Sequence, residues 1–409
     1  MPVPTLDADP DCARPASRLI AERRTFDSIP RETWDRLAAL NPWATPFSSW
    51  GFHRAWWDAY GDNAHDQTMV VIDPTKLNAD SPHTRVLAIV PLMHRHVVEP
   101  GDAETHTSIR HGTEAELTPV AATAKAVYFG ASYHADYATI LGDPLDLPEV
   151  TAALADAMCG SATPDPDHPL PWDVIDLRRL RTGDPTADAL ATAFGHDEIS
   201  QGWTLNLERE DVCPVATLPE GGDLDAFLAT LDKHGRHEIR RKVRRAEAAG
   251  ALDLVESTDP IADLPAFIEL HQARWGDDGL FPPTRGGDQS RLFIRRLFEL
   301  LGEGGGAEAG GSAGPLGSVH LTFLTVDGRR IGAAIHLETA DSLLYYNAGV
   351  DPEARQLSPG VVMVERLIQR ALSRGLRRLD FLRGDESYKY DWGAVDEPIQ
   401  RLLVRRTVA

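Results

Sequence analysis

Residues 380–393, DFLRGDESYKYDWG, set Arg383, Asp385, Glu386 and Lys389 among Tyr388, Tyr390 and Trp392, directly after a short apolar run. Arg383 and Lys389 are the side chains that bind phosphate or carboxylate. Asp380, Asp385 and Glu386 can accept protons or orient an amine, and a tyrosine supplies a phenolic donor. Tyr388, Tyr390 and Trp392 can wall a cavity. A purely structural alternative is an Arg–carboxylate knot that pins a turn, because Gly384 followed by Asp385 is also ordinary turn chemistry.

Such a cluster needs elements to hold it. SLLYYNAGV (342–350) reads as a strand that ends at the loop DPEARQLSPG. Ser358 can cap the next helix, Pro359 suits a first helical turn, and Gly360 lets another group approach the backbone. The helix predicted over 359–374 carries Val361, Val364, Ile368 and Ala371 on one face, with Gly375 as its stop. A second strand is predicted over 377–383. A strand, a crossover helix and a parallel strand finish on one sheet edge, so the QLSPG loop and the RGDESYK cluster meet where such sheets bind ligands. The helix start favours an anion there.

The 409 residues suggest two domains, and 42% hydrophobic with 25% charged residues fits a globular chain. Residues 1–24 read as a flexible tail and 25–211 as an N-terminal unit. That unit holds a helix over 45–61 and strands at 68–73, 85–93, 136–141 and 172–178, with surface loops at 143–148 and 163–171. Residues 212–222 read as a linker and 223–409 as a C-terminal unit. In the latter, a helical stretch over 223–249 is interrupted at His234-Gly235, and helices follow at 263–275 and 288–302. Residues 302–317 are a Gly-rich flexible insertion. Strands then run over 318–326, 330–338 and 342–350, and a last one over 400–408.

A net charge of −21 excludes general polyanion wrapping, so no DNA partner is expected. Against that trend, KHGRHEIRRKVRR (233–245) has seven Lys or Arg and one Glu, which points to a local anion site. No apolar run spans a membrane, no secretory leader is seen, and Cys12, Cys159 and Cys213 form neither a disulfide set nor a zinc site; a cytoplasmic location is expected. His94 with His96 lacks a third metal ligand nearby, so no metal is expected. His271, Trp275, His320, His336 and the Trp50, Trp56, Trp57 group read as packing residues.

RQLSPG (355–360), the apolar helix after it and DFLRGDESYKYDWG (380–393) together resemble the C-terminal signature of GNAT-superfamily acyltransferases of the cellulose-biosynthesis (CelD) type. PFSSWGFHRAWWDAYG and RHEIRRKVRRAEAAG (236–250) are similar too, and the resemblance spans about residues 25–405. The Fem-type aminoacyl-tRNA-dependent ligases are more distantly similar. The resemblance implies an α+β (mixed α/β) fold of two tandem GNAT-like domains, with acyl donor and catalysis in the C-terminal one. It implies acyl-CoA as co-substrate, acetyl-CoA foremost, with its pyrophosphate on the loop of Arg355, Gln356, Leu357, Ser358, Gly360 and Val361. Pro359 departs from that pattern by removing one amide. Ala348, Gly349 and Val350 would line the pantetheine arm. Asp385 is then the first choice of base, Glu386 the second and Tyr388 the acid. Arg383, Lys389, Trp392, Arg236 and Arg240 would hold substrate. The implied reaction moves an acyl group to an amine of a sugar, polysaccharide precursor or related metabolite. Two alternatives stand: a Fem-like ligase whose basic helix contacts tRNA, and a non-catalytic assembly protein of polysaccharide production.

Overall fold

A computed structural model describes residues 18–76, 85–95, 117–121, 123–159, 172–196, 199, 202–276, 279–302 and 316–407. Its strands are β1 (Ile20–Arg23), β2 (Ala64–Asp66), β3 (Met69–Ile72), β4 (Val86–Val90), β5 (Leu92–Arg95), β6 (Ala126–Phe129), β7 (Leu141–Gly142) and β8 (Val174–Arg181). The chain continues through β9 (Trp203–Thr217), β10 (Leu252–Glu256), β11 (Ser318–Val326), β12 (Arg329–Glu338), β13 (Ser342–Val350), β14 (Arg378–Asp380) and β15 (Val395–Arg406). Four of these form a small sheet in the order β1-β3-β4-β7. The rest form one continuous sheet, β10-β11-β12-β13-β14-β9-β15-β8-β6-β5-β2. The fold is mixed α+β, as the sequence implies.

Two strand–helix–strand units with parallel pairing organise the large sheet. In the first, β6 leads through helix Leu147–Cys159 to β8; in the second, β13 leads through helix Pro359–Ser373 to β14. The two units differ beyond their parallel pairs. Past β6 and β8, Ala138 bridges Leu180. Past the pair Leu344↔Asp380, β14 ends while β13 runs on to Val350 with no described strand on that edge. β13 also skips one residue against β12, since Ile335 pairs Asn347 and His336 pairs Tyr345, leaving Tyr346 in a bulge.

The chain departs from sequence expectation where side chains override pattern. Residues 20–23, expected in the tail, pair with β3. Residues 212–217, expected as linker, belong to β9 at the sheet centre between β14 and β15. The 85–93 run splits at Pro91, which has no N–H for a ladder, so β4 and β5 enter different sheets. The 223–249 stretch breaks before His234-Gly235, giving helices Leu224–Thr230 and Lys233–Glu247, because Asp232 accepts from the amides of His234 and Gly235. The 377–383 strand stops at Asp380; its carboxylate takes the Leu382 amide at 2.8 Å and Leu382 turns left-handed. Residues 1–17, 163–171, 303–315 and His96 lie outside the described residues.

Burial also fixes protonation. Desolvation pulls His53 and His134 down to about 3, and His271 and His336 down to about 4, so all four are neutral in the fold. An unfolded histidine gains its proton below about 6.5, so acid favours the unfolded chain as pH falls from 6.5 toward 4. Each contributes up to about 1.4 kcal/mol per pH unit in that window and nothing above it. Urea midpoints at pH 7.5 and pH 5 should therefore differ strongly; equal midpoints would contradict neutral burial.

Candidate functional site

The open edge of β13 leads into a cavity of about 500 Å³. Tyr345 and Val350 of β13, Gly360 and Val361 at the next helix start, and Tyr388 and Trp392 of the charged–aromatic stretch line it. Helix Lys233–Glu247 closes one side with Gly235, Glu238, Ile239 and Lys242. Five of the site residues expected from sequence thus share one wall: Val350, Gly360, Val361, Tyr388 and Trp392.

The helix start has the chemistry of an anion site. Ser358 is left-handed and its carbonyl accepts from the amides of Val361 and Val362. Pro359 has no amide to give. The Gly360 N–H makes no bond among the described residues, and a Cβ placed on Gly360 would meet nothing within 4 Å. Arg245 donates to Ser358 Oγ at 2.7 Å and has no acidic partner among the described residues. A cation beside the positive end of a helix is unfavourable by about 0.3–1 kcal/mol. A bound phosphate reverses that sign, and Lys242, one helical turn before Arg245, adds a second cation. The space over Gly360, its open amide and these two cations fit the diphosphate of a CoA-type ligand.

Arg245 and Lys242 were not singled out by sequence; Arg236 and Arg240 were. Those two face elsewhere: Arg240 pairs with Asp225 at 2.6 Å and Arg236 donates to the Ala229 carbonyl. The apolar stripe Ile239, Val243, Ala246, legible in the sequence at helical spacing, docks the helix. Glu238, Lys242 and Arg245 directly flank it at helical spacing.

Several other expected site residues hold the fold instead. Lys389 is buried, and its ammonium donates to the carbonyls of Leu382 (3.1 Å), Arg383 (2.8 Å) and Gly384 (2.8 Å) and pairs with Glu386 at 2.8 Å. It is the pin of the turn, and Glu386, half-exposed, is its outer partner. Arg383 reaches Asp136 of the N-terminal half at 3.3 Å. Asp385 is buried and outside the cavity wall. Ala348 is buried, its carbonyl taking the Trp275 indole at 3.3 Å. Gly349 serves packing: a Cβ there would stand 2.6 Å from His271 Cα, because helix Pro260–Trp275 crosses directly over it. Gly349→Ala should cost about 1–3 kcal/mol by overpacking, read as a lower urea midpoint. Arg355 and Gln356 are exposed on the turn Pro352–Leu357, and Leu357 is half-buried.

Burial pushes the Tyr345 phenol up to about 12 and that of Tyr388 well above the ordinary value, so both present O–H groups to the cavity. His320, His336 and Glu338 bring ligand-type atoms within 4.8 Å of one another. Arg370 and Arg374 already pair with Glu338, while Glu256 pairs with His320 and Arg370, so the group balances its own charge.

Residues 233–390 match the family model described as Acetyltransferase (GNAT) domain. No curated protein matches the chain by sequence. Among solved structures, that of FemX is similar at 10% identity and a TM-score of 0.54, covering 93% of this chain and 96% of its own. A conserved protein of unknown function from Bacteroides thetaiotaomicron VPI-5482 is similar at 10% identity and a TM-score of 0.52, covering 95% of this chain and 100% of its own. A tandem GNAT protein from the clavulanic acid biosynthesis pathway aligns over 96% of this chain and 99% of its own at 12% identity, with a TM-score of 0.42. Residues 233–390 therefore carry an acetyltransferase domain of GNAT type, a transferase, in a chain whose mixed α+β fold is similar to that of FemX.

Proposed function

We propose that this chain is an N-acyltransferase that moves an acyl group from acyl-CoA, acetyl-CoA foremost, to the amine of a small metabolite. The observation that carries the reading is Arg245 standing without an acidic partner among the described residues at the start of helix Pro359–Ser373, beside the open space over Gly360. The amino-sugar acceptor and the link to polysaccharide production come from the resemblance alone. We also take residues 25–211 and 223–409 as two GNAT-like units, the first without a donor site because the Ala138–Leu180 bridge fills the corresponding gap. The free, buried thiols Cys159 and Cys213 suit a reducing cytoplasm.

In this reading the donor supplies an activated thioester. Gly360, Lys242 and Arg245 hold its phosphates, Val350 and the open edge of β13 line its arm, and Trp392 walls the cavity. The Tyr388 hydroxyl, kept protonated by burial, donates toward the departing sulfur. The tRNA alternative is less favoured, since Arg240 and Arg241 of the basic helix are paired with Asp225 and Glu238.

The test is release of free thiol from acetyl-CoA on addition of a panel of primary amines. Amine-dependent release that Tyr388→Phe slows about tenfold or more is expected, the range for a positioned proton donor being about 100-fold to 10,000-fold when transfer is complete. Binding of acetyl-CoA without release for any amine class would overturn the catalytic reading.

A further inference from the structure

A second cleft, of about 630 Å³, opens on the opposite face of the large sheet. Trp43 and Arg181 of the N-terminal half and Ser342, Arg378 and Asp380 of the C-terminal half line it. Its inner end is the point where β13 and β14 part. Leu344 and Asp380 are their last pair and both line this cleft, whereas Tyr345, the next residue of β13, lines the donor cavity. Successive strand side chains point to opposite faces. The two cavities therefore approach one point from the two sides of the sheet.

The lining carries both charges. Arg181 and Arg378 share Glu397, at 3.3 Å and 2.6 Å. Arg181 also stacks on Tyr137 and Trp43, at 4.7 Å and 5.3 Å. Neither guanidinium makes any further hydrogen bond among the described residues. Each has five N–H donors in a planar fork, so one shared carboxylate leaves most of them without a protein acceptor among the described residues and the trio net positive. Two residues from Arg378 on the same face of β14, Asp380 is buried, bound by the Tyr137 phenol at 2.7 Å and within electrostatic reach of Arg181, and burial raises its carboxyl above the ordinary range.

We propose that this cleft receives the acyl acceptor, and that the acceptor carries a carboxylate as well as a primary amine. Arg181 and Arg378 hold the carboxylate by their free fork, and Asp380 directs the amine to the parting of β13 and β14. The inference rests on the acyltransferase reading and narrows it: amines without a carboxylate, plain hexosamines included, are poor substrates. In the reaction the neutral amine nitrogen bonds to the acyl carbon and the carbon–sulfur bond breaks, its electron pair leaving with sulfur. The proton lost by nitrogen passes to Asp380, sulfur gains one from Tyr388 or water, and the net products are an amide and a free thiol. Holding both substrates on opposite faces of one gap supplies the orientation that direct transfer needs.

Saturation-transfer NMR on the full chain with L-methionine, L-methioninamide and D-glucosamine tests this. Methionine should bind, the other two at least about tenfold more weakly for want of the charge-assisted pair. Arg378→Ala should lose methionine binding yet keep the rise in melting temperature given by acetyl-CoA. Equal binding of methioninamide or glucosamine, no binding of methionine, or methionine binding retained by the variant would each overturn the proposal. If acetyl-CoA fails to stabilise the wild type, the donor reading falls, while the methionine comparison still decides the cleft.

Discussion

Gly360→Leu should abolish acyl-CoA binding without harming the fold, and Gly360→Ala should strengthen the fold while weakening binding. Both outcomes stem from the empty space that a Cβ at this position would enter. An alanine in the first helical turn removes backbone freedom from the unfolded chain and stabilises by about 0.5–1 kcal/mol. The same methyl stands where the diphosphate must approach the Gly360 amide, and a leucine fills that space. At a ligand concentration of about 100 times its dissociation constant, binding stabilises the folded state by about 2.7 kcal/mol. The wild type should show that shift in melting temperature, alanine a smaller one on a raised baseline, and leucine none. A leucine variant that keeps the full shift would move the donor away from this helix.

Lys389→Met should destabilise the chain by about 3–5 kcal/mol, because it strands three inward carbonyls and removes the partner of Glu386. Glu386→Gln is the contrast: its carboxylate is half-exposed and the loss should stay within about 1 kcal/mol. Urea unfolding of both variants separates two roles for Lys389. A pin of the turn lowers the midpoint; a substrate-binding lysine leaves the midpoint in place and lowers only affinity. An unchanged midpoint for Lys389→Met would restore the substrate role.

Much of the site's frame was legible because it depends on local pattern. Ser358, Pro359 and Gly360 mark a helix start whatever surrounds them, and β13, its helix and β14 are set by periodicity and connection rules. What the charged side chains touch was not legible. Arg383 and Lys389 have the same types that bind anions, but their partners, Asp136 and the turn's own carbonyls, are set by tertiary packing. Gly349 read as a ligand contact because the helix above it comes from a separate part of the chain. The basic helix was read by its cations, whereas its apolar stripe decides which cations face the cavity. Likewise Cys213 to Thr217 look like a Pro-containing connector, and only pairing with β14 and β15, both far later in sequence, makes them a central strand.

Hydrogen–deuterium exchange of the full chain with and without acetyl-CoA most directly asks where the donor lies. Slowed exchange confined to peptides covering the open edge of β13, the start of helix Pro359–Ser373 and the Lys242–Arg245 turn is the predicted pattern. Protection that leaves those three peptides untouched, with acetyl-CoA shown to bind, would place the donor elsewhere and contradict the site.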